Sequence, residues 1–178
     1  KNLEHRLIVL KFLNQLMNKY TGLKVFYKPF PGTYTNDPIK ELCSHHIETG
    51  RIELTDTAPK KLYNRVDLVL WDSISTGFGE CVTSGVPVIV LNSKHEYEQT
   101  SPRGRFVNDA LTVAGVQCFD VDSAISSFER IVFKLDHYKN DTESSIELYK
   151  EDLATPVSWR KWHRNFKEGI LCQNFLHN

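Results

Sequence analysis

Residues 66–71 read Val66-Asp67-Leu68-Val69-Leu70-Trp71, residues 72–80 read Asp72-Ser73-Ile74-Ser75-Thr76-Gly77-Phe78-Gly79-Glu80, and residues 87–91 read Pro87-Val88-Ile89-Val90-Leu91. The two apolar runs are short, rich in β-branched residues and not alternating, as in strands covered on both faces of a parallel sheet. Between them Ser75, Thr76 and Gly77 lead into a helix that Gly85 ends. The stretch is a β-α-β crossover, and it sets the expectation for the whole chain.

Working outward, Leu3, Leu7, Leu10, Leu13, Met17 and Tyr20 recur at helical spacing before Gly22, which predicts an amphipathic first helix. A short strand is expected over 24–28, then a Pro/Gly-rich loop through Pro29-Phe30-Pro31-Gly32. Asp37-Pro38 reads as an N-cap with Pro at the first helical position, opening a helix that Gly50 closes. Residues 51–54 form a weaker strand pattern, and Thr57-Ala58-Pro59 opens a short helix to Tyr63. Further on, a helix is expected over much of 103–114 and a strand over 116–119. Asp122-Ser123 caps a helix carrying Ile125, Phe128, Ile131, Val132 and Leu135. Helices near 143–153 and 158–172 complete the pattern, and the polar stretch 139–145 reads as the best internal hinge. The alternation predicts an α/β fold: a doubly wound, mostly parallel Rossmann-like sheet with helices on both faces. One such domain spans 1–178, with a C-terminal helical extension from about 142.

Composition narrows the function classes. In 178 residues, 22 Lys and Arg balance 22 Asp and Glu, so no dominant basic field for nucleic acid exists. No apolar run approaches the roughly 18–20 residues of a membrane span. Cys43, Cys81, Cys118 and Cys172 are widely spaced, as expected of reduced core thiols in a cytosolic protein. His45-His46 lie adjacent in a helical stretch and point to different faces, and no zinc-type spacing is evident elsewhere; no metal is expected. Ser75 lacks the Gly-x-Ser-x-Gly context of a hydrolase nucleophile. The chain opens on Lys1 rather than Met, which suggests a piece of a longer protein.

In an open α/β sheet, ligands lie beyond the carboxyl ends of the strands. This points to the loops at 29–36, 55–59, 72–79 and 92–104. In the third, hydroxyls and glycines precede a helix whose positive end and free N–H groups suit an anion such as a phosphate. Glu80, about one turn in, can accept both hydroxyls of a ribose whose diphosphate rests on that helix end. A plainer reading makes Thr76 or Gly77 the helix cap and Glu80 its complement. His95 in the fourth loop is an acid or base without a visible partner.

From Val66 to Val88-Ile89, this sequence resembles the C-terminal nucleotide-sugar-binding domain of GT-B glycosyltransferases: apolar strand, polar Gly-rich loop, Glu, then Gly85-Val86-Pro87 before the next strand. Asp72 and Glu80 are spaced like the Glu-x7-Glu pair of many retaining members, with Asp72 replacing the first Glu. The resemblance implies that Ser73, Ser75, Thr76 and Gly77 hold the diphosphate, Glu80 the ribose and Asp72 the donor sugar. Glu96 and Gln99 are placed like donor-contacting residues. Lys28-Pro29-Phe30-Pro31-Gly32 is similar to the Lys-Pro-His-Pro-like turn of bacterial capsule-polymer and sialyltransferase-like enzymes, with Phe30 in place of His; Lys28 is then expected beside a phosphate. The same loop and helix also look like those of UDP-sugar 2-epimerases, which differ in reaction but not in ligand class.

The resemblance implies half a GT-B enzyme acting in polysaccharide or glycoconjugate assembly. The nucleotide sugar is its donor substrate, and no separate cofactor is expected. The N-terminal acceptor domain, absent here, is expected in the same chain or another polypeptide, and the catalytic groups with it. The chain alone is expected to be inactive. A few charge-assisted hydrogen bonds of about 1.5–3 kcal/mol each, set against an association cost of at least about 4 kcal/mol, give affinities from millimolar to tens of micromolar. A non-catalytic flavodoxin-like module is the alternative of a different class. Trp159, Trp162, Phe166 and Ile170 share a helical stripe, suited to core or interdomain packing and also admitting peripheral contact with the inner face of a membrane.

Overall fold

Leu10, Leu13 and Met17 recur every three or four residues, and Val9, Phe12 and Leu16 do the same one step round the helix. Helix α1 (Leu3–Lys19) therefore has two apolar faces, and both are buried. In the computed structural model, which describes residues 3–29 and 38–151, α1 stands between two hydrophobic clusters. Leu10, Leu13 and Met17 join the smaller one; Val9, Phe12 and Leu16 join the larger. The single-stripe expectation is corrected at Leu7, which is 44% exposed. Asp37, the loop 30–37 and the helix expected at 158–172 lie outside the described residues.

The smaller cluster sits beside a parallel pair, β1 (Val25–Tyr27) and β2 (Ile52–Leu54), in register Val25↔Ile52. The one helix expected between them is two, α2 (Ile39–Leu42) and α3 (Ser44–Glu48), because Cys43 leaves helical geometry at φ −124°, ψ 20°. Arg51 then closes the exposed end of α1, its Nη2 donating to the Met17 and Tyr20 carbonyls at 2.7 Å each. These are carbonyls of the kind a helix C-terminus leaves unpaired.

Buried His46 approaches Asn14 Oδ1 through Nε2 at 3.2 Å. Desolvation, with the nearby charges of Arg51 and His45, lowers its pKa. The folded chain therefore binds fewer protons than the unfolded chain below the ordinary His value of about 6.5. This contribution is complete above that pH and is lost as the pH falls from there through the lowered value. Urea unfolding at pH 7.5 and 5.5 is expected to show reduced stability at the lower pH, and His46→Gln is expected to flatten that difference.

The larger cluster surrounds β3 (Val69–Trp71), β4 (Val88–Leu91) and β5 (Gln117–Cys118), parallel and adjacent in that order. Val69 pairs with Val88, and Val90 with Gln117. The crossover read from the sequence is present: α4 (Thr76–Ser84) joins β3 to β4 and ends at Gly85 in the left-handed conformation, φ 79°. All four β4 residues are buried, whereas the β3 residues are half-buried, so only β4 is sealed as the sequence pattern implied. The short helix expected from Pro59 is instead a pair of 3-10 turns, Pro59–Lys61 and Tyr63–Arg65. The loop expected at 92–104 contains α5 (Lys94–Glu98) and the start of α6 (Pro102–Val113).

Helix α7 (Val121–Phe133) is capped by Asp120, whose carboxylate accepts from Ser123 N at 2.8 Å, rather than by Asp122-Ser123. Helix α8 (Leu135–Tyr149) begins well before the expected 143 and runs straight through the stretch read as a hinge. Two of the polar residues in that stretch are buried: Thr142 donates to Tyr138 O and Ser145 to Thr142 O, both at 2.8 Å, and Tyr138 Oη donates to Val88 O at 2.7 Å. The described chain is an α/β fold with small parallel sheets, compatible with a Rossmann-like arrangement. Between the two sheets there is no hydrogen-bonded strand ladder among the described residues.

Candidate functional site

Because β3 and β4 are parallel, the 72–75 segment leaves β3 at its carboxyl end and enters α4 there. Ser75 is the N-cap residue, with extended backbone at φ −139°, but its side chain makes no capping hydrogen bond. The capping role offered to Thr76 or Gly77 is thus not the observed arrangement. Ser75, Thr76 and Glu80 are exposed, while Ser73 and Gly77 are half-buried. The start of α4 therefore exposes Ser75 and Thr76, with Glu80 one turn along, while Phe78 and Gly79 of the same turn are buried; a helix start of this kind is able to receive an anion.

Gly77 has a packing role. A Cβ there would overlap the six-membered ring of Trp71, so the indole packs directly against the first turn of α4. Tyr63 Oη donates to Gly77 O at 3.2 Å from the other direction. Burial pushes the Tyr63 phenol up to about 12, so it remains a neutral donor. Burial likewise pushes the Cys81 thiol, one residue beyond Glu80, up to about 11, which disfavours a thiolate nucleophile. Phe78 is fully buried beneath the turn and meets Tyr149 edge-on, centroids 4.8 Å apart.

Asp72 is held from the first helix. Arg6 Nη1 lies 3.6 Å from Asp72 Oδ2, Arg6 Nη2 donates to Tyr27 Oη, and His5 Nε2 approaches the Asp72 carbonyl at 2.8 Å. The amino end of α1 thereby bridges the carboxyl ends of β1 and β3. Sequence reading missed His5, Arg6 and Tyr27. The available signal was a polar pair at the start of an otherwise apolar helix, but its partners lie 21 and 67 residues away.

The other candidates occupy separate positions. Lys28 Nζ donates to Asp56 O at 3.0 Å, tying the loop after β1 to that after β2. Gln99 Nε2 approaches His95 Nε2 at 3.1 Å, which gives the loop His a neighbour the sequence did not show. Glu96 is half-buried on α5, and its carbonyl accepts from Thr100 Oγ1 at 3.1 Å. No hydrogen bond or ion pair among the described residues joins Lys28, Glu96 or Gln99 to the 72–80 loop. Beneath α5, buried Asn92 donates to Gln117 Oε1 at 3.0 Å, and Gln117 Nε2 donates to Thr112 Oγ1 at 2.9 Å. This network fixes how the chain leaves β4.

No family model, curated protein or solved structure matches this chain. The expectation that the chain has no Asp-x-Asp motif to hold a nucleotide-bound cation is corrected by Asp120-Val121-Asp122, although Asp120 is engaged as the α7 cap. Among the described residues no group of three or more His, Cys, Asp or Glu side chains is placed to hold a metal. None of their helices is long and apolar enough to cross a membrane.

Proposed function

We propose that this chain is the nucleotide-sugar-binding half of a GT-B-type glycosyltransferase, with its two parallel sheets forming parts of one doubly wound domain. The observation that carries the reading is the start of α4: Ser75 and Thr76 exposed at the carboxyl end of β3, no side-chain cap, and exposed Glu80 following on the same helix. In this reading the N–H groups around Ser75, Thr76 and Gly77 take the diphosphate and Glu80 takes the ribose. Ser73 lines the approach. Asp72, tethered by Arg6, would contact the donor sugar only if that pair opens. Lys28, Glu96 and Gln99 complete the donor site if the loops close around a ligand. Acceptor and catalytic groups come from an N-terminal domain in the same chain or another polypeptide, acting in the cytoplasm or at the inner face of a membrane, in polysaccharide or glycoconjugate assembly.

A half-site of this kind binds weakly and does not turn over by itself. Calorimetric titration of UDP, GDP and CMP is expected to give a millimolar to tens-of-micromolar Kd for one of them. Glu80→Ala is expected to weaken it about tenfold, equivalent to one lost charge-assisted hydrogen bond. A second reading, a non-catalytic flavodoxin-like module, draws on the prior engagement of Lys28, Asp72 and Gln99 in internal contacts. Failure of all three nucleotides to bind, or indifference to Glu80→Ala, favours the module. A 2-epimerase shares the ligand class and is distinguished by product analysis once the second half is supplied.

A further inference from the structure

Asn14 of α1, His46 of α3 and Arg51, which leads into β2, form the polar part of the contact between α1 and the smaller sheet. His46 is only 5% exposed, and its Nε2 lies 3.2 Å from Asn14 Oδ1. An amide oxygen only accepts, so Nε2 carries the hydrogen. Nδ1 is then a buried bare nitrogen with no hydrogen-bond partner among the described residues, and it is the atom that an added proton must take. The surroundings are unsuited to that proton. Arg51 from the turn into β2 and His45 from the same helix both act against it, and α1 faces it with the neutral amide of Asn14. Lys40 and Glu41 of α2 and Glu48 of α3 are exposed, and no carboxylate among the described residues pairs with His46 or Arg51. Acidification therefore sets a second positive charge beside a permanent one in a place without compensation.

We propose that His46 is an acid-operated catch, whose protonation releases α2, α3 and β2 from α1 while the larger core stays folded. Two observations localise the opening. The β1–β2 pair shares no strand ladder with β3, β4 and β5 among the described residues. Leu10, Leu13 and Met17 of α1 also pack with Ile39 and Cys43 in the smaller cluster, whereas Cys81 and Cys118 belong to the larger one. Parting from α1 thus uncovers Cys43 and leaves the other two thiols buried. Thr55 N donates to Tyr27 O at 2.9 Å, which ties the catch to the loops at the carboxyl ends of β1 and β2. It acts ahead of global unfolding and does not depend on what the strand-end site binds.

Thiol labelling of the full chain under native conditions tests the catch. Dithiodipyridine reacts with thiols even at mildly acidic pH, and peptide mass spectrometry reads each cysteine separately. Rates are taken relative to the urea-unfolded chain at the same pH. Cys43 is expected to react through an opening with a smaller urea slope than global unfolding, and Cys81 and Cys118 only with the full slope. From pH 7.5 to 5.5 the Cys43 opening is expected to rise about tenfold, the factor for one proton taken up by the open form alone at an ordinary His value near 6.5. His46→Gln keeps a donor for Asn14 but takes no proton, and is expected to hold the rise below about twofold. Asn14→Asp supplies the missing carboxylate and is expected to do the same. Circular dichroism checks that both variants fold. The catch is overturned if Cys43 shares the urea slope and protection of Cys81 and Cys118, if its wild-type opening is equal at the two pH values, or if the full rise survives in either folded variant.

Discussion

Arg6→Ala is expected to lower the urea midpoint of unfolding by ~1–2 M, a loss of about 3 kcal/mol. The guanidinium is 10% exposed and Asp72 24% exposed, so the pair lies in a largely water-excluded place. Removing one member of such a pair costs more than the pair contributes, because the other charge loses its compensation. The same side chain also donates to Tyr27 Oη and lies against the Tyr27 ring, its Cζ 5.4 Å from the centroid. One truncation therefore loosens the contact between β1, β3 and α1 at once. Arg6→Lys is expected to recover only part of the loss, since an ammonium cannot reproduce the forked geometry. An Arg6→Ala midpoint equal to that of the wild type would show that the bridge is incidental.

Phe78→Ala is expected to cost about 4 kcal/mol, within the range for emptying a fully buried aromatic site. Phe78 has no exposed surface and supports the turn that presents Ser75, Thr76 and Gly77. Its edge-on partner Tyr149 lies in the last turn of α8. The cavity therefore weakens the footing of the candidate site and the end of α8 together. Chemical denaturation measures the loss, and a change below about 1 kcal/mol would mean that the ring is not an anchor of α4.

The β3–α4–β4 crossover was legible because three independent signals agree there: two unbroken apolar runs, a polar turn and a glycine that stops the helix. Agreement across levels was weaker elsewhere. Residues 139–145 look solvated by composition, yet Thr142 and Ser145 bury their hydroxyls by donating to carbonyls three or four residues back on their own helix. Composition does not encode that local satisfaction. The first helix shows one apolar stripe to a periodicity search, and its second stripe becomes meaningful only when another layer lies behind it. At the site, Glu80, Ser75 and Thr76 were readable as exposed groups of a helix start. Asp72 was readable as a carboxylate, but not as the partner of Arg6, because that pairing is a tertiary fact. Gly77 likewise looked like a place for a phosphate to approach, whereas its immediate neighbour is the Trp71 indole.

The placement of α1 between two cores has a temporal consequence on the ribosome. Leu10, Leu13 and Met17 can find Tyr27, Ile39 and Ile52 once the first third of the chain has emerged. Val9, Phe12 and Leu16 must wait for Phe128 and Ile131, which are synthesised much later. During that interval one side of the nascent helix remains sticky, a natural target for chaperone capture and for misassembly between neighbouring polysomes.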